Sequence, residues 1–195
     1  KYPQGAERAL IYACTGRSIN STMLPADAGC VVDNVYTVIS IYNAVALTTP
    51  VIGRVVTVTG DCITKPQNFW VKLGTNFNEL VEAAGGYKTQ PEKIISGGPM
   101  MGMAMFSTDV PVTKTSGSIL TMSHDEVAAQ EPSACIRCGR CVEACPSHLV
   151  PQIMIQYAER NDIEGFKRVG GMECYECGSC TFVCPAKRRL TQSFK

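Results

Sequence analysis

An α+β chain ending in a helical, cysteine-rich region is what the sequence predicts, on three observations. Apolar residues recur at the helical period before Pro50, short β-branched runs follow between Val51 and Ser96, and eight of the eleven cysteines fall within Cys135–Cys184. The 195 residues allow one large or two small domains. Hydrophobic residues at 45%, charged residues at 18%, and 18 basic against 17 acidic side chains exclude a disordered chain and argue against nucleic-acid binding. The most apolar stretch, Val35 to Leu47, is interrupted by Thr37, Ser40 and Asn43 and falls short of the ~20 residues a spanning helix needs. No direct membrane span is expected. The chain opens at Lys1 with neither a basic leader nor a continuous apolar run, and reads as an internal piece of something longer.

In chain order, a first helix begins near Gly5, carries Ala9, Leu10, Ile11 and Ala13, and stops at Gly16. A second follows Asn34, a suitable N-cap, with Val35, Val38, Ile39, Tyr42, Ala46 and Leu47 near the 3.6 period until Pro50 ends it. Val51–Thr59 and Asn68–Leu73 read as strands punctuated by Gly60 and Pro66. A third helix runs from Thr75 through Leu80, Val81 and Ala84 to Gly85 and Gly86, and Lys93–Ser96 is a third strand before GGPMMG. Met100, Met101, Met103 and Met105 of that loop read as core and turn residues, since Met fills irregular gaps. From Met103 to Pro132, β-like pieces at 110–112 and 118–122 alternate with polar turns. A boundary is expected near 130, and the segment from Val150 to Val169 fits one or two short helices.

The two cysteine groups are copies of one another: CIRCGRCVEACP and CYECGSCTFVCP share the pattern CxxCxxCxxxCP. In that run three cysteines serve one [4Fe–4S] cube and the fourth, before proline, serves the other. Cys135, Cys138, Cys141 and Cys184 are therefore assigned to one cluster, and Cys174, Cys177, Cys180 and Cys145 to the second. Four-cysteine zinc sites usually bring two CxxC pairs across a longer loop, which suits this spacing poorly. An odd number of crowded cysteines also argues against a secreted disulfide framework. Gly139 and Gly178 leave room for the backbone beside inorganic sulfide. His124 and His148 read as surface residues, and Cys14, Cys30 and Cys62 as small buried side chains. From residue 135 onward nine Lys and Arg stand against six Asp and Glu, and Lys187, Arg188 and Arg189 would raise a cluster potential, receive an acidic partner or form a solvated face.

The segments KYPQGAERAL, NVYT, RVVTVTG, GGPMMG, CIRCGRC and ECGSCTFVCPAKRRL, in this order, resemble the RnfC family over essentially the whole chain. That family provides the NADH-oxidising peripheral subunit of an ion-pumping ferredoxin:NAD oxidoreductase complex and is related to the flavin subunit of respiratory complex I. The resemblance implies the end of a flavin-binding α/β domain at 1–50, a soluble-ligand-binding β-grasp (SLBB) module at 51–105, a connector at 106–130 and a two-cluster ferredoxin-type domain at 131–195. Flavin subunits carry a YxxGxExxL segment, matched by Tyr2, Gly5, Glu7 and Leu10, and an NVxT turn, matched by Asn34, Val35 and Thr37. Gly5, Glu7, Asn34 and Thr37 are thereby implied as FMN contacts, helix N-termini being suited to its phosphate. The family usually has Gly where Tyr36 stands, and its glycine-rich FMN and NADH loop belongs before Lys1.

The function implied is that of an oxidoreductase subunit passing electrons between NADH, FMN and a redox partner through two [4Fe–4S] clusters, with FMN held by the intact protein and NADH as substrate. Its partners would be other electron-transfer subunits of a membrane Rnf-type complex, and its place cytoplasmic, peripheral to the membrane. Cys14 and Cys30, unexpected in the pattern, point to the alternative of a soluble RnfC-like reductase feeding an amino-acid reductase or cobalamin enzyme. A non-catalytic relay and docking module is the other alternative; it would carry iron and sulfide without FMN.

Overall fold

The computed structural model describes residues 2–195; Lys1, which opens the KYPQGAERAL segment, lies outside them. Two compact units divide the chain, one formed by residues 2–34 together with 130–195, the other by Val35–Ala129. The α+β class holds: a five-stranded sheet accompanies short helices among the described residues.

The Val35–Ala129 unit opens with α2 (Val35–Ala46), the second helix of the chain after α1 (Glu7–Thr15), and continues with β1 (Gly53–Gly60), β2 (Gln67–Lys72), α3 (Phe77–Ala83), β3 (Lys93–Ser96), β4 (Met103–Met105) and β5 (Ser118–Met122). The sheet order is β2-β1-β5-β3-β4. Only β1 and β5 run parallel, with Val58 opposite Ile119; the remaining neighbours are antiparallel. A parallel pair needs a crossover, and α3 lies in the intervening chain. Asn76 starts that helix: its side chain accepts from the Asn78 N–H, and Glu79 reaches back to the Asn76 N–H. Phe77, Leu80 and Val81 then pack with Val56, Val58, Ile63 and Ile119 in one buried core. Gly60 is required where β1 closes on β5, because φ is +122° and a Cβ there would stand 2.0 Å from the Thr121 carbonyl oxygen. Cys62 is fully buried beside this core, as expected.

Several expectations need correction. Residues 110–112 form no strand; the Val110 carbonyl and Val112 N–H instead pair with Phe77 and Thr75 around the turn that starts α3, leaving a single bridge at Pro111. The methionine loop continues into edge strand β4, where Met105 packs on the core while Met101 and Met103 are 54% and 75% exposed. The apolar stripe of α2 is not buried, since none of its residues is. Tyr36, on that helix, donates its hydroxyl to the Gly53 carbonyl at 2.8 Å and lies under the Arg54 guanidinium, 5.9 Å from ring centre to Arg54 Cζ.

In the other unit, α1 is joined by α4 (Arg140–Glu143), α5 (Pro151–Ala158), α6 (Ile163–Arg168), α7 (Ser179–Phe182) and α8 (Leu190–Phe194). Pro151 begins α5 at a position where its missing N–H costs nothing, and Asp162 caps α6 by accepting from the Gly165 N–H at 2.8 Å. Buried Ile155 on α5 and Leu190 on α8 form a small core with Cys180, against which Cys141 and Phe194 pack. Cys14 is exposed and Cys30 half-buried, so the expectation of two buried thiols there fails: α1 directs only Ile11 inward.

Candidate functional site

The sequence repeat is also a backbone repeat. Two residues after the first cysteine of each copy the chain turns left-handed, at Arg137 (φ 55°) and Glu176 (φ 52°); it does so again at Gly139 (79°) and Gly178 (80°), and at His148 and Lys187 (both 53°), three residues after the last cysteine. Short helices α4 and α7 follow the two glycines. N–H groups at or beside these turns aim back toward sulfur: Arg137 N–H donates to Cys135 Sγ at 3.4 Å, Glu176 N–H to Cys174 Sγ at 3.3 Å, and Leu149 N–H to Cys145 Sγ at 3.4 Å.

These turns wrap two pockets. Cys135, Cys138, Cys141 and Cys184 line one, with Ile136, Gly139, Gln152, Pro185, Ala186 and Arg188. Cys145, Cys174, Cys177 and Cys180 line the other, with Ser147, Leu149, Met154, Thr191 and Phe194. Each pocket thus takes three thiols from one copy of the repeat and the fourth from the other. The pockets share a wall, since Cys141 of one set and Cys180 of the other pack on the same Ile155–Leu190 core. Among the described residues no three His, Cys, Asp or Glu side chains converge closely enough to hold a single metal ion. Four thiols lining one pocket match the one thiolate per iron that a [4Fe–4S] cube takes. Further fit comes from Ser147, whose hydroxyl oxygen is buried without a hydrogen-bond partner among the described residues.

The two pockets differ in exposure. Cys135 and Cys138 are exposed, whereas Cys177 and Cys180 retain only 7% and 8% of their surface. Burial pushes the Cys174 thiol up to about 11 and raises those of Cys141 and Cys180, against the opposing pull of backbone N–H donors and, at Cys180, chiefly the Thr191 hydroxyl. These free thiols are protonated near neutrality, so binding iron must displace their protons. Arg188, at the rim of the first pocket, is held by Glu159 at 2.5 Å; that bond, with a smaller contribution from Cys135, raises its pKa further. Lys187 and Arg189 are exposed.

Residues 2–34 attach to the second copy. The Tyr2 hydroxyl donates to the Cys177 carbonyl, Arg8 pairs with Glu173 at 2.6 Å and stacks over the Tyr175 ring, and the Ser21 hydroxyl donates to Glu173 at 2.7 Å. Hydrogen bonds from Ser21, with Arg8 beside it, hold the Glu173 carboxyl below its ordinary pKa. Gly5 and Glu7 stand exposed at the start of α1, which has no side-chain cap; Asn34 is exposed at the end of the same segment, and exposed Thr37 lies on α2 in the other unit. His124, paired with Glu92 at 3.0 Å, and His148 are both exposed. No local pattern signals the Tyr2 bond, which joins residues 175 positions apart. Ser147 could have been found by aligning the two copies, where Ala186 takes its place.

Three family descriptions match the chain: the Nuo51 FMN-binding domain over residues 1–43, the SLBB domain over 55–104, and the 4Fe-4S dicluster domain over 128–187. The chain is 49% identical over 154 residues to the C subunit of the proton-translocating ferredoxin:NAD(+) oxidoreductase complex of Clostridium ljungdahlii, covering 79% of the chain and 34% of that protein. It is 45% identical over all 195 residues to the Na(+)-translocating counterpart of Acetobacterium woodii, covering 44% of it. With the corresponding component of the ion-translocating oxidoreductase complex of Rhodobacter capsulatus it shares 40% over 195 residues, covering 38%. The chain therefore spans less than half the length of these relatives.

Proposed function

The chain belongs to the RnfC family, and on that footing we propose that it is the part of an electron-transfer oxidoreductase subunit that carries single electrons between a flavin site and a partner subunit of an Rnf-type complex. The observation that carries this reading is the pair of four-thiol pockets sharing one wall. We assign Cys135, Cys138, Cys141 and Cys184 to hold one [4Fe–4S] cluster, and Cys145, Cys174, Cys177 and Cys180 to hold the second. When bound, FMN exchanges a hydride with NADH and the cubes take up and release one electron each.

The protein's own residues supply placement. Gly5, Glu7 and the uncapped first turn of α1 offer N–H groups to the FMN phosphate, with Asn34 and Thr37 as further contacts. Tyr2 and Arg8 fasten this segment to Cys177 and Glu173, setting the second pocket beside the flavin segment. The first pocket, with exposed Cys135 and Cys138 and the Arg188 rim, faces the partner. Among the described residues no helix is long and apolar enough to cross a membrane. In this reading the chain attaches to the complex through partner subunits, on the cytoplasmic face.

The test is anaerobic purification of the full-length protein, quantitation of iron, sulfide, zinc and flavin on one sample, and EPR after reduction by NADH and by dithionite. About eight iron and eight sulfide per chain, bound FMN, and NADH-reducible, magnetically coupled signals are expected. Zinc in place of iron would refute the redox reading. Clusters reduced by dithionite but never by NADH, in a protein without FMN, would leave only a relay module.

A further inference from the structure

The two pockets descend from one repeated motif, so departures from the repeat are where they become chemically different. After the fourth cysteine and its proline, the first copy has Ser147 and the second Ala186. Because the fourth cysteine of each copy serves the other copy's pocket, Ser147 lines the Cys174 pocket beside Cys145, and Ala186 lines the Cys135 pocket beside Cys184. Both Ala186 and the Ser147 hydroxyl oxygen are buried, and that oxygen has no partner among the described residues. A buried hydroxyl is costly to leave unpaired, and the walls around it are largely apolar: Pro146, Leu149, Pro151, Met154 and Phe194. Four cysteine sulfurs line the same pocket and become its strongest acceptors as thiolates, beside the hydroxyls of Thr191 and Tyr175. Two further hydroxyls already lie at ligand sulfurs of this set: Ser179 Oγ stands 3.4 Å from Cys177 Sγ, and Thr191 Oγ1 stands 3.6 Å from Cys180 Sγ. Once those sulfurs are thiolates, the hydroxyls must be the donors.

Resting on the two-cluster reading above, we propose that Ser147 is a potential-setting residue for the cluster held by Cys145, Cys174, Cys177 and Cys180. Its Oγ–H donates to a sulfur of that cluster and makes it easier to reduce. Reduction adds one electron and no proton, the charge spreads over the sulfurs, and a hydrogen bond to sulfur strengthens with that charge; the reduced form is stabilised more than the oxidised one. Ala186 offers nothing equivalent, so the repeat carries a built-in difference between its two sites.

The test compares the anaerobically purified full-length protein with Ser147→Ala by EPR-monitored redox titration, Cys138→Ser serving to assign the signals. With iron and sulfide unchanged, Ser147→Ala should shift the second cluster to lower potential, leave the first where it was, and remove an exchangeable-deuteron coupling from the second signal in D2O. A second cluster present at an unchanged midpoint would overturn the inference. The reciprocal Ala186→Ser keeps the test alive where Ser147→Ala loses its cluster: it should raise the first cluster's potential, and an unmoved midpoint with full iron content would overturn the inference. A wild-type protein without two clusters would instead refute the reading on which the inference rests.

Discussion

Arg137, Glu176, His148 and Lys187 hold φ between 52° and 55°, a region that costs a non-glycine residue about 1–3 kcal/mol unless its surroundings enforce it. The cost recurs in register in both copies of the motif, and at Arg137 and Glu176 it yields an N–H aimed at sulfur. Glu176→Gly, which adopts the same turn freely, should leave iron content unchanged, whereas Glu176→Val should lose roughly half of it, as read by iron and sulfide assay. Crossed grouping makes a sharper expectation: Cys184→Ser should abolish the EPR signal of the Cys135 pocket and spare that of its own copy. Away from the pockets, Asp125 accepts from Lys93 at 2.5 Å and from the Val127 and Ala128 N–H groups, and chiefly the Lys93 bond lowers its pKa. A carboxylate whose folded pKa is depressed adds stability above its unfolded value and loses it as pH falls through the folded one. Urea midpoints read from Trp70 fluorescence should therefore lose this contribution only as pH drops below the ordinary Asp value, and Asp125→Asn should start lower and lose less there.

Among the elements, α3 decides whether the sheet has a core. Phe77 is 1% exposed and sits at its first turn against Val56, Val58 and Ile119. Phe77→Ala should cost about 3–5 kcal/mol in equilibrium unfolding followed at Trp70, the single tryptophan and a residue of β2, while Asn76→Ala, which removes the cap and the bond Asn76 donates to Asp109, should cost about 1–2 kcal/mol. The elements with the strongest local signals were legible beforehand: β3 and β5 have the bounds their β-branched runs predict, and α5 and α6 divide the predicted helical stretch at Asn161 and Asp162. The segment at 110–112 was not, because its alternation meets the N-terminal turn of α3 rather than a neighbouring strand. Strand β4 escaped for the opposite reason: GGPMMG reads as a turn, and its three-residue strand is defined only by pairing with β3.

At the scale of the whole molecule, the unit that contains both thiol pockets is discontinuous, built from the two ends of the sequence. Arg8, Ser21 and Tyr2 reach Glu173 and Cys177 across more than 150 positions. Arg8→Ala should raise amide hydrogen exchange in residues 2–34 by several-fold or more while leaving the exchange of β1 and β5 unchanged; equal protection in both variants would show that the pair is not what holds the segment.

By itself the sequence determined the fold class, the order of segments and the doubling of the cysteine motif, because ligand spacing, period and turn residues are local properties that a few neighbouring side chains encode. Only the tertiary structure decided that the first 34 residues join the cysteine-rich end, that Cys135 and Cys138 are exposed while Cys177 and Cys180 are buried, and that the Ser147 hydroxyl is left without a partner among the described residues. Those outcomes depend on which distant surfaces meet and on what remains unpaired once they have met.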